Sequence, residues 1–186
     1  VGRLTPLLPA TARLGWALQP LSPDLAAATA AGLLRQSGAC RLIAPEAVAG
    51  MAPIDPQVLL AIAPAMEVSG RAAPLSSDAV HLVMTTSGTE SGPKAVMLTG
   101  CNLAAAAGAA LDAGLAPGDR WLACLPGFHI GGLAIPYRCA AAGAAVVAHD
   151  RFDAARVWSD LWEHGITHLS LVPAMLHRLL DAAADA

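Results

Sequence analysis

The sequence predicts an α/β fold in which strand–helix units repeat along the chain. Short apolar runs, often β-branched, alternate with longer alanine- and leucine-rich segments that close on glycine. The chain has 186 residues, of which 55% are hydrophobic and 13% charged, and this length suits one domain or at most two small ones. Glycine and proline interrupt every apolar run before the roughly 20 residues that a membrane span requires. We therefore expect a core-rich protein without a membrane span.

The first part of the chain predicts a helix and a strand, followed by an irregular segment. Residues 25–38 form an alanine- and leucine-rich run that stops at Gly38, as helices commonly do. A short apolar strand is expected next, at residues 40–44. Residues 45–77 are rich in proline and show little regular pattern apart from a short helix at 57–63. We expect a long surface excursion there.

The second part of the chain continues the alternation. A strand at 79–86 and a helix at 99–114 flank a polar segment, which we interpret as a loop. Pro136 is expected to interrupt the helix in which it lies. Further strands are predicted at 121–125, 144–148 and 168–172, and further helices at 132–143, 153–165 and from 173 onward. Side chains at i, i+4 spacing predict a packing face on the helix at 153–165: Val157, Trp158, Leu161 and Trp162.

Charge and cysteine content argue against several classes of function. The net charge is −3 at pH 7 and no run of lysine or arginine occurs. We therefore expect no nucleic-acid partner, and any anion site must be local. The four cysteines show no C-x-x-C spacing and lie among apolar neighbours. We interpret them as buried thiols of a cytoplasmic protein: Cys40, Cys101, Cys124 and Cys139.

The histidines do not predict a metal site. His164 and His168 are four residues apart, as in a metal-binding helix, but Gly165 breaks the helix between them. We expect three further histidines at the surface or as helix caps: His81, His149 and His177.

The segment TTSGTESGPKAVMLTG, residues 85–100, has the composition of an anion cradle. Glycines let backbone N–H groups converge, hydroxyl groups add donors and a lysine supplies a full positive charge. The nucleotide P-loop pattern G-x-x-x-x-G-K-[ST] does not fit. Only three residues separate Gly88 from Gly92, Pro93 precedes Lys94, and Ala95 stands where the magnesium-binding hydroxyl should be.

A different phosphate loop fits the segment. The run 86–89, TSGT, followed by Gly92, Pro93 and Lys94, resembles the loop of the adenylate-forming superfamily. That superfamily contains acyl-CoA synthetases, luciferases and peptide-synthetase adenylation domains, with the pattern T-S-G-T-[TS]-G-x-P-K-G-V and then T-H-x-N-L. The resemblance implies that this loop holds the β- and γ-phosphates of ATP together with Mg²⁺. The implied cofactor-binding residues are Thr86, Ser87, Gly88, Thr89, Glu90, Ser91, Gly92 and Lys94.

The loop departs from the superfamily pattern at four positions. Glu90 replaces a hydroxyl residue, Ser91 and Ala95 replace glycines, and Gly100 replaces the usual histidine. A carboxylate that faces a polyphosphate is repelled by about 1 kcal/mol or more per close pair. Three roles are open for Glu90: it points to solvent at the loop tip, it holds Mg²⁺ jointly with the phosphates, or it marks a weakened enzyme. We favour the first.

A second segment, WLACLPGFHIGGLAI at residues 121–135, resembles the superfamily motif L-P-x-F-H-x-x-G-L. The resemblance implies a strand end and a helix start beside the acyl pocket, with His129 as the catalytic residue near the substrate carboxylate. A histidine there can donate to a carboxylate oxygen, and glycines let a substrate approach the backbone. The implied substrate-binding residues are Phe128, His129, Gly131 and Gly132.

The resemblance covers nearly the whole chain. Residues 151–181 resemble F-D-x-x…G-[IV]-T-x-x-x-x-V-P-x-x-L-x-x-L-L, where Val172 and Pro173 are expected to border the acyl site. Within the superfamily, the combined motifs are most similar to the o-succinylbenzoate–CoA ligases of menaquinone synthesis. The implied organisation is one partial amino-terminal domain over 1–186, with sub-regions 1–77 and 78–186. The carboxy-terminal domain, with its hinge and catalytic lysine, is not found in this sequence, so we expect a fragment.

The implied reaction has two halves. A carboxylate attacks the α-phosphate of ATP to give an acyl-adenylate and pyrophosphate, and the thiol of CoA then displaces AMP. The implied partners are therefore a small-molecule carboxylic acid, ATP, Mg²⁺ and CoA, and the fragment alone is expected to be inactive. The alternative is a non-catalytic relative that serves as a binding or scaffold protein with a drifted phosphate loop. The alanine-rich helices could face a core or a partner, which leaves a homo-oligomer open.

Overall fold

The computed structural model describes residues 5, 7–44, 46–48, 50–55, 77–86 and 93–184, and these residues form a mixed α/β fold. Within these ranges the helices are α1 (Leu7–Arg13), α2 (Ala27–Ser37), α3 (Gly100–Asp112), α4 (Ile130–Ala142), α5 (Ala154–Glu163) and α6 (Pro173–Ala184). The strands are β1 (Leu42–Ile43), β2 (Pro53–Ile54), β3 (Val80–Thr86), β4 (Lys94–Thr99), β5 (Arg120–Ala123), β6 (Ala145–Ala148) and β7 (His168–Leu169). The predicted α/β class is confirmed, and strands and helices alternate strictly from β4 to α6. The predicted helix at 57–63 lies outside the described residues.

The last three strands form a parallel sheet in the order β6-β5-β7. Successive side chains of β5 point to opposite faces of the sheet. On one face, Ala123 packs with Ile135 and Cys139 of α4. On the other face, Leu122 packs with Val157 of α5 and Leu179 of α6. The sheet is therefore covered by helices on both faces, which explains why β5 reads as an apolar run rather than an alternating one.

The strands β3 and β4 form an antiparallel pair in which Thr86 lies opposite Lys94 and Val80 opposite Thr99. On its other edge, β3 receives a parallel bridge from Leu18, whose N–H donates to the His81 carbonyl at 2.9 Å. The prediction of a plain loop between residues 86 and 99 was therefore wrong at β4. Its side chains are exposed or half-buried, although residues 95–98 form a short apolar run. Pairing with the buried β3 makes this segment a strand.

Helix boundaries follow local signals, with one exception. Gly38 and Gly143 end α2 and α4 with φ values of 67° and 70°, a left-handed conformation that favours glycine. The Asp153 side chain accepts a hydrogen bond from the Arg156 N–H at 3.0 Å and starts α5. Pro136 does not interrupt α4, contrary to our expectation. It is buried together with Leu133, Ala134, Ile135 and Cys139, and this packing offsets the roughly 3 kcal/mol that an interior proline costs.

Burial differs from the sequence interpretation at several side chains. His81 and His149 were expected at the surface or as helix caps, but they are 4% and 2% exposed and lie outside the helices. The His149 Nε2 lies 2.5 Å from the Asp160 Oδ2, so a carboxylate on α5 accounts for the buried imidazole. Trp162 is 74% exposed, and it meets only the edge of Trp158, at a centroid distance of 6.0 Å. The packing face of α5 therefore does not include Trp162.

Two of the four cysteines are buried and two are exposed. Cys124 lies just after β5 and Cys139 on the inner face of α4, and both are buried as predicted. Cys40 and Cys101 are exposed, so the expectation of four buried thiols was wrong for these two. Cys101 lies in the first turn of α3, on its outer side. Among the described helices, none has both the length and the apolar character for crossing a membrane.

We expect two classes of thiol reactivity. Burial raises the pKa of Cys139 to about 11 and also raises that of Cys124. At about pH 8, Cys40 and Cys101 should react with Ellman's reagent in the folded protein, because both thiols are exposed to it. Cys124 and Cys139 stay protonated and shielded, so their reaction requires unfolding or a pH near the raised pKa.

Absorbance titration of thiols in the folded and the urea-unfolded protein measures this difference. Cys101→Ser is the matched control and should remove one fast-reacting thiol. Rapid reaction of all four thiols in the folded protein would contradict the burial of Cys124 and Cys139.

Candidate functional site

The ends of β3 and β4 bring together two residues that the sequence assigned to phosphate binding. Thr86 ends β3, Lys94 begins β4, and the two lie directly opposite each other in the ladder. The Thr86 hydroxyl donates to the Lys94 carbonyl at 3.5 Å, and both side chains are exposed. The predicted residues Ser87, Gly88, Thr89, Glu90, Ser91 and Gly92 lie outside the described residues, so their roles stay predictions.

Thr85 is a residue that the sequence reasoning did not single out. Its Oγ1 is buried, and no described residue forms a hydrogen bond with it. A buried hydroxyl without a partner costs on the order of 1–3 kcal/mol, so an unpaired donor here is notable beside the predicted phosphate loop. The only signal in the sequence was the doublet of threonines at 85 and 86, which is too common to identify the position.

The base of the β3–β4 pair is joined to α3 by a capping box. The Thr99 N–H donates to the Asn102 Oδ1 at 3.0 Å, and the Asn102 N–H donates to the Thr99 Oγ1 at 3.4 Å. These bonds satisfy donors that a helix start leaves open. The TGCNL run, residues 99–103, therefore ties the end of β4 directly to the start of α3.

One apolar cluster connects this strand pair to the second motif. Leu82 and Met84 of β3 pack with Leu103 of α3 and Leu133 of α4. Leu133 lies one turn after His129, and it is fully buried. The strand pair and the start of α4 are thus parts of the same packed unit.

His129 stands at the start of α4 in an extended backbone conformation. Its N–H donates to the Pro126 carbonyl at 3.2 Å, which closes the turn between β5 and α4. The imidazole is exposed and makes no hydrogen bond to any described residue, although the Phe128 ring lies 4.7 Å from it between centroids. Both nitrogens of the His129 ring are therefore available to a ligand.

Two further features make this point of the fold suitable for a carboxylate. The first N–H groups of a helix lack intrahelical partners and carry partial positive charge, and α4 begins directly after His129. β5 and β7 are parallel, so the His129 turn and Val172 follow strands that end at the same edge of the sheet. Ligands of open α/β sheets bind outside that edge. Val172 and Pro173 are both exposed there.

The two glycines of the second motif differ in their surroundings. Gly131 is exposed, and a Cβ there would meet only the Leu125 Cδ1, at 3.4 Å. Gly132 is buried, and a Cβ there would lie 2.6 Å from the Pro126 carbonyl oxygen. The chain's own backbone already fills the space at Gly132, whereas Gly131 leaves room for a ligand.

The described residues contain no group of three or more histidine, cysteine, aspartate or glutamate side chains that could hold a metal ion. His164 lies near Asp160, with the His164 Nε2 at 3.8 Å from the Asp160 Oδ1. His168 instead contacts the Thr167 hydroxyl at 2.8 Å. The two histidines thus have separate partners.

Comparison with known proteins gives consistent matches. A 2-succinylbenzoate–CoA ligase of Bacillus pumilus is 42% identical over 100 residues, which are 53% of this chain and 21% of that protein. The o-succinylbenzoate CoA synthetase from Bacillus subtilis, solved in complex with its acyl-adenylate intermediate, superposes with a TM-score of 0.84 and 28% identity. That superposition covers 97% of this chain and 49% of the solved chain.

The Bacillus subtilis synthetase solved in complex with ATP and magnesium ion superposes with a TM-score of 0.82 and 28% identity, over 97% of this chain and 39% of that chain. The chain thus spans half or less of the length of the relatives that it matches. The model of the family described as AMP-binding enzyme matches residues 4–186. Because this match extends over nearly the entire sequence, the chain belongs to the AMP-binding enzyme family.

Proposed function

We propose that the chain is the amino-terminal part of an ATP-dependent acid–CoA ligase. The observation that carries this proposal is the shared core of β3, α3 and α4, in which Met84 and Leu133 pack in one cluster. Through this core, the strand pair that carries Thr86 and Lys94 and the helix start that carries His129 belong to one packed unit. An adenylation reaction needs that arrangement, because most of its rate enhancement comes from positioning the two reactants.

The phosphate side of the proposed site is built on the facing pair of Thr86 and Lys94. The Lys94 ammonium and the Thr86 hydroxyl would contact the polyphosphate, together with the predicted loop residues between them. Thr85 precedes Thr86 in β3, and its buried hydroxyl forms no hydrogen bond with a described residue. Hydroxyl and phosphate oxygens suit Mg²⁺, which binds few protein ligands directly. When bound, Mg²⁺ neutralises charge on the phosphates.

The acid side of the proposed site is built on the His129 turn. An imidazole N–H of His129 would donate to one oxygen of the substrate carboxylate, and exposed Gly131 would leave space beside it. The other carboxylate oxygen attacks the α-phosphorus, and the bond to the bridging oxygen breaks to release pyrophosphate. The CoA sulfur then attacks the acyl carbonyl and AMP leaves, which completes the ligation.

The proposed acid is o-succinylbenzoate, and the proposed pathway is menaquinone synthesis. The support is the name of the Bacillus relatives together with the similarity of the fold. We place the enzyme in the cytoplasm, since exposed free thiols such as Cys40 and Cys101 persist in reducing compartments. The oligomeric state, including the homo-oligomer that the sequence left open, stays a prediction.

The proposal is tested by release of pyrophosphate. We expect the protein encoded by the complete gene to release pyrophosphate from Mg-ATP with o-succinylbenzoate and to form the acyl-CoA when CoA is added. The 186 residues alone are expected to release none, because they span half or less of the length of the matched synthetase chains. A panel of aryl and fatty acids serves as the comparison. No release with any acid would exclude the ligase function.

Lys94→Ala should lower kcat for pyrophosphate release by about 10²-fold, because one preorganised positive charge that stabilises the leaving pyrophosphate is lost. Lys94→Arg should retain part of the activity. Arg41→Ala, which removes an exposed charge just before β1, is the matched control and should be neutral. If Lys94→Ala kept the wild-type kinetics, Lys94 would not be part of the phosphate site.

Glu90→Thr distinguishes the ligase from the non-catalytic relative. If Glu90 points away from the phosphates, its replacement should change kcat/KM for ATP little. A rise of an order of magnitude or more would instead indicate that the carboxylate repels the polyphosphate, at about 1.4 kcal/mol per tenfold. That outcome, together with negligible wild-type activity, would favour the scaffold protein with a drifted loop. Equilibrium binding of ATP to both forms is the accompanying measurement.

A further inference from the structure

We propose that Gly132 is a positioning residue, which sets the place of the His129 imidazole by letting α4 begin in contact with two backbone carbonyls. This inference deepens the proposed function and depends on it for the role of His129. Gly132 does not reach a ligand itself, since it is buried and the chain's own atoms surround it.

The contact at Gly132 leaves no room for a larger residue. A Cβ would lie 2.6 Å from the Pro126 carbonyl oxygen, 2.7 Å from the Leu125 carbonyl oxygen and 3.1 Å from the Leu125 carbonyl carbon. Real Cβ atoms essentially never approach other atoms to less than 3.0 Å. All three neighbours are backbone atoms, which cannot rotate away as the end of a side chain can. A methyl group at this position must therefore move either α4 or the Leu125–Pro126 segment.

Hydrogen bonds in the turn between β5 and α4 couple this movement to His129. The Pro126 carbonyl that would meet the new Cβ also accepts the His129 N–H, at 3.2 Å. The His129 carbonyl in turn accepts the N–H groups of Gly132 at 3.1 Å and Leu133 at 3.0 Å. His129 is thus bonded to both of the segments that would have to separate.

The helix is the less mobile of the two segments. Leu133 and Ile135 of α4 are fully buried, and they pack into two different clusters, one with β3 and α3 and one with β5. A retreat of α4 would open gaps in both clusters, and packed interiors resist such gaps. The turn that carries Phe128 and His129 is half-buried or exposed at both side chains. Relief of the clash therefore displaces the turn, and with it the imidazole.

The neighbouring glycine shows that this constraint is specific to position 132. A Cβ on Gly131 would meet only the flexible end of Leu125, at 3.4 Å. Gly108, in the middle of α3, has nothing within 4 Å of its Cβ position. Gly108→Ala is therefore a matched control, since it makes the same chemical change inside a helix without a clash and favours the helix slightly.

The kinetic test compares Gly132→Ala with Gly108→Ala in the protein encoded by the complete gene. A displacement of a reacting group by about 1 Å costs about 10²-fold in rate, so Gly132→Ala should lower kcat for pyrophosphate release by about that factor. The KM for ATP should not change, because the strand pair is untouched. Gly108→Ala should keep the wild-type kcat.

A double-variant comparison tests whether the effect passes through His129. In a His129→Ala background, adding Gly132→Ala should cause little further loss of kcat, since the group that it displaces is already absent. The full loss in that background would overturn the proposal, because Gly132 would then act on something other than His129. Wild-type kcat in Gly132→Ala would overturn it as well.

A spectroscopic test is independent of activity. In protein labelled with ¹⁵N-histidine, the signals of the six imidazoles can be compared between variants, with His129→Ala identifying the His129 signal. Gly132→Ala should shift the His129 signal and Gly108→Ala should not. An unchanged His129 signal would refute the positioning role. If the protein shows no ligase activity with any acid, the proposed function fails while this comparison still decides the inference.

A second variant covers the case in which Gly132→Ala does not fold. Adding Pro126→Gly loosens the turn, so that the double variant can relieve the clash and keep its core. We expect it to be folded, with the His129 signal shifted and kcat lowered relative to Pro126→Gly alone. A folded double variant with the signal and kcat of Pro126→Gly alone would overturn the proposal.

Discussion

The packing of β3 against α3 and α4 is the interaction on which the candidate site depends. Leu82, Met84, Leu103 and Leu133 are each at most 7% exposed, and they form one cluster. Each such side chain contributes about 1.5–3 kcal/mol through removal from water. This cluster joins a strand pair, which carries Lys94, to a helix start, which carries His129. Two motifs that are separate in the sequence thereby belong to one unit in the structure.

Around that core, backbone groups at the ends of elements determine where the polar side chains stand. The capping box of Thr99 and Asn102 holds the end of β4 against α3. The carbonyls of Leu125 and Pro126 abut α4 at Gly132. These contacts use short polar residues and a glycine, because larger side chains would block the hydrogen bonds or the close approach. The polar side chains of the site are therefore positioned by contacts that involve the main chain at the ends of β4 and β5, while the apolar core holds these elements together.

The elements that were predicted well carry strong local signals. The helix at 25–38 ends at Gly38, the strand at 79–86 is rich in apolar and β-branched residues, and the helix at 153–165 begins at Asp153. Each appears within a few residues of its predicted bounds. The elements that were missed or misjudged depend on distant partners. β4 exists because it pairs with β3. Pro136 remains inside α4 because the helix is packed on several sides.

The sequence by itself determined the strand–helix pattern and the two motifs that resemble the adenylate-forming superfamily. The pattern and the motifs depend only on the order of neighbouring residues. Only the tertiary structure decided that backbone atoms occupy the space beside Gly132, whereas the space beside Gly131 is open. This difference depends on how closely the segment at 125–126 approaches α4. The tertiary structure also decided that His149 is buried against Asp160. Burial and close approach are properties of residues that meet across the fold, and a one-dimensional pattern does not specify those distances.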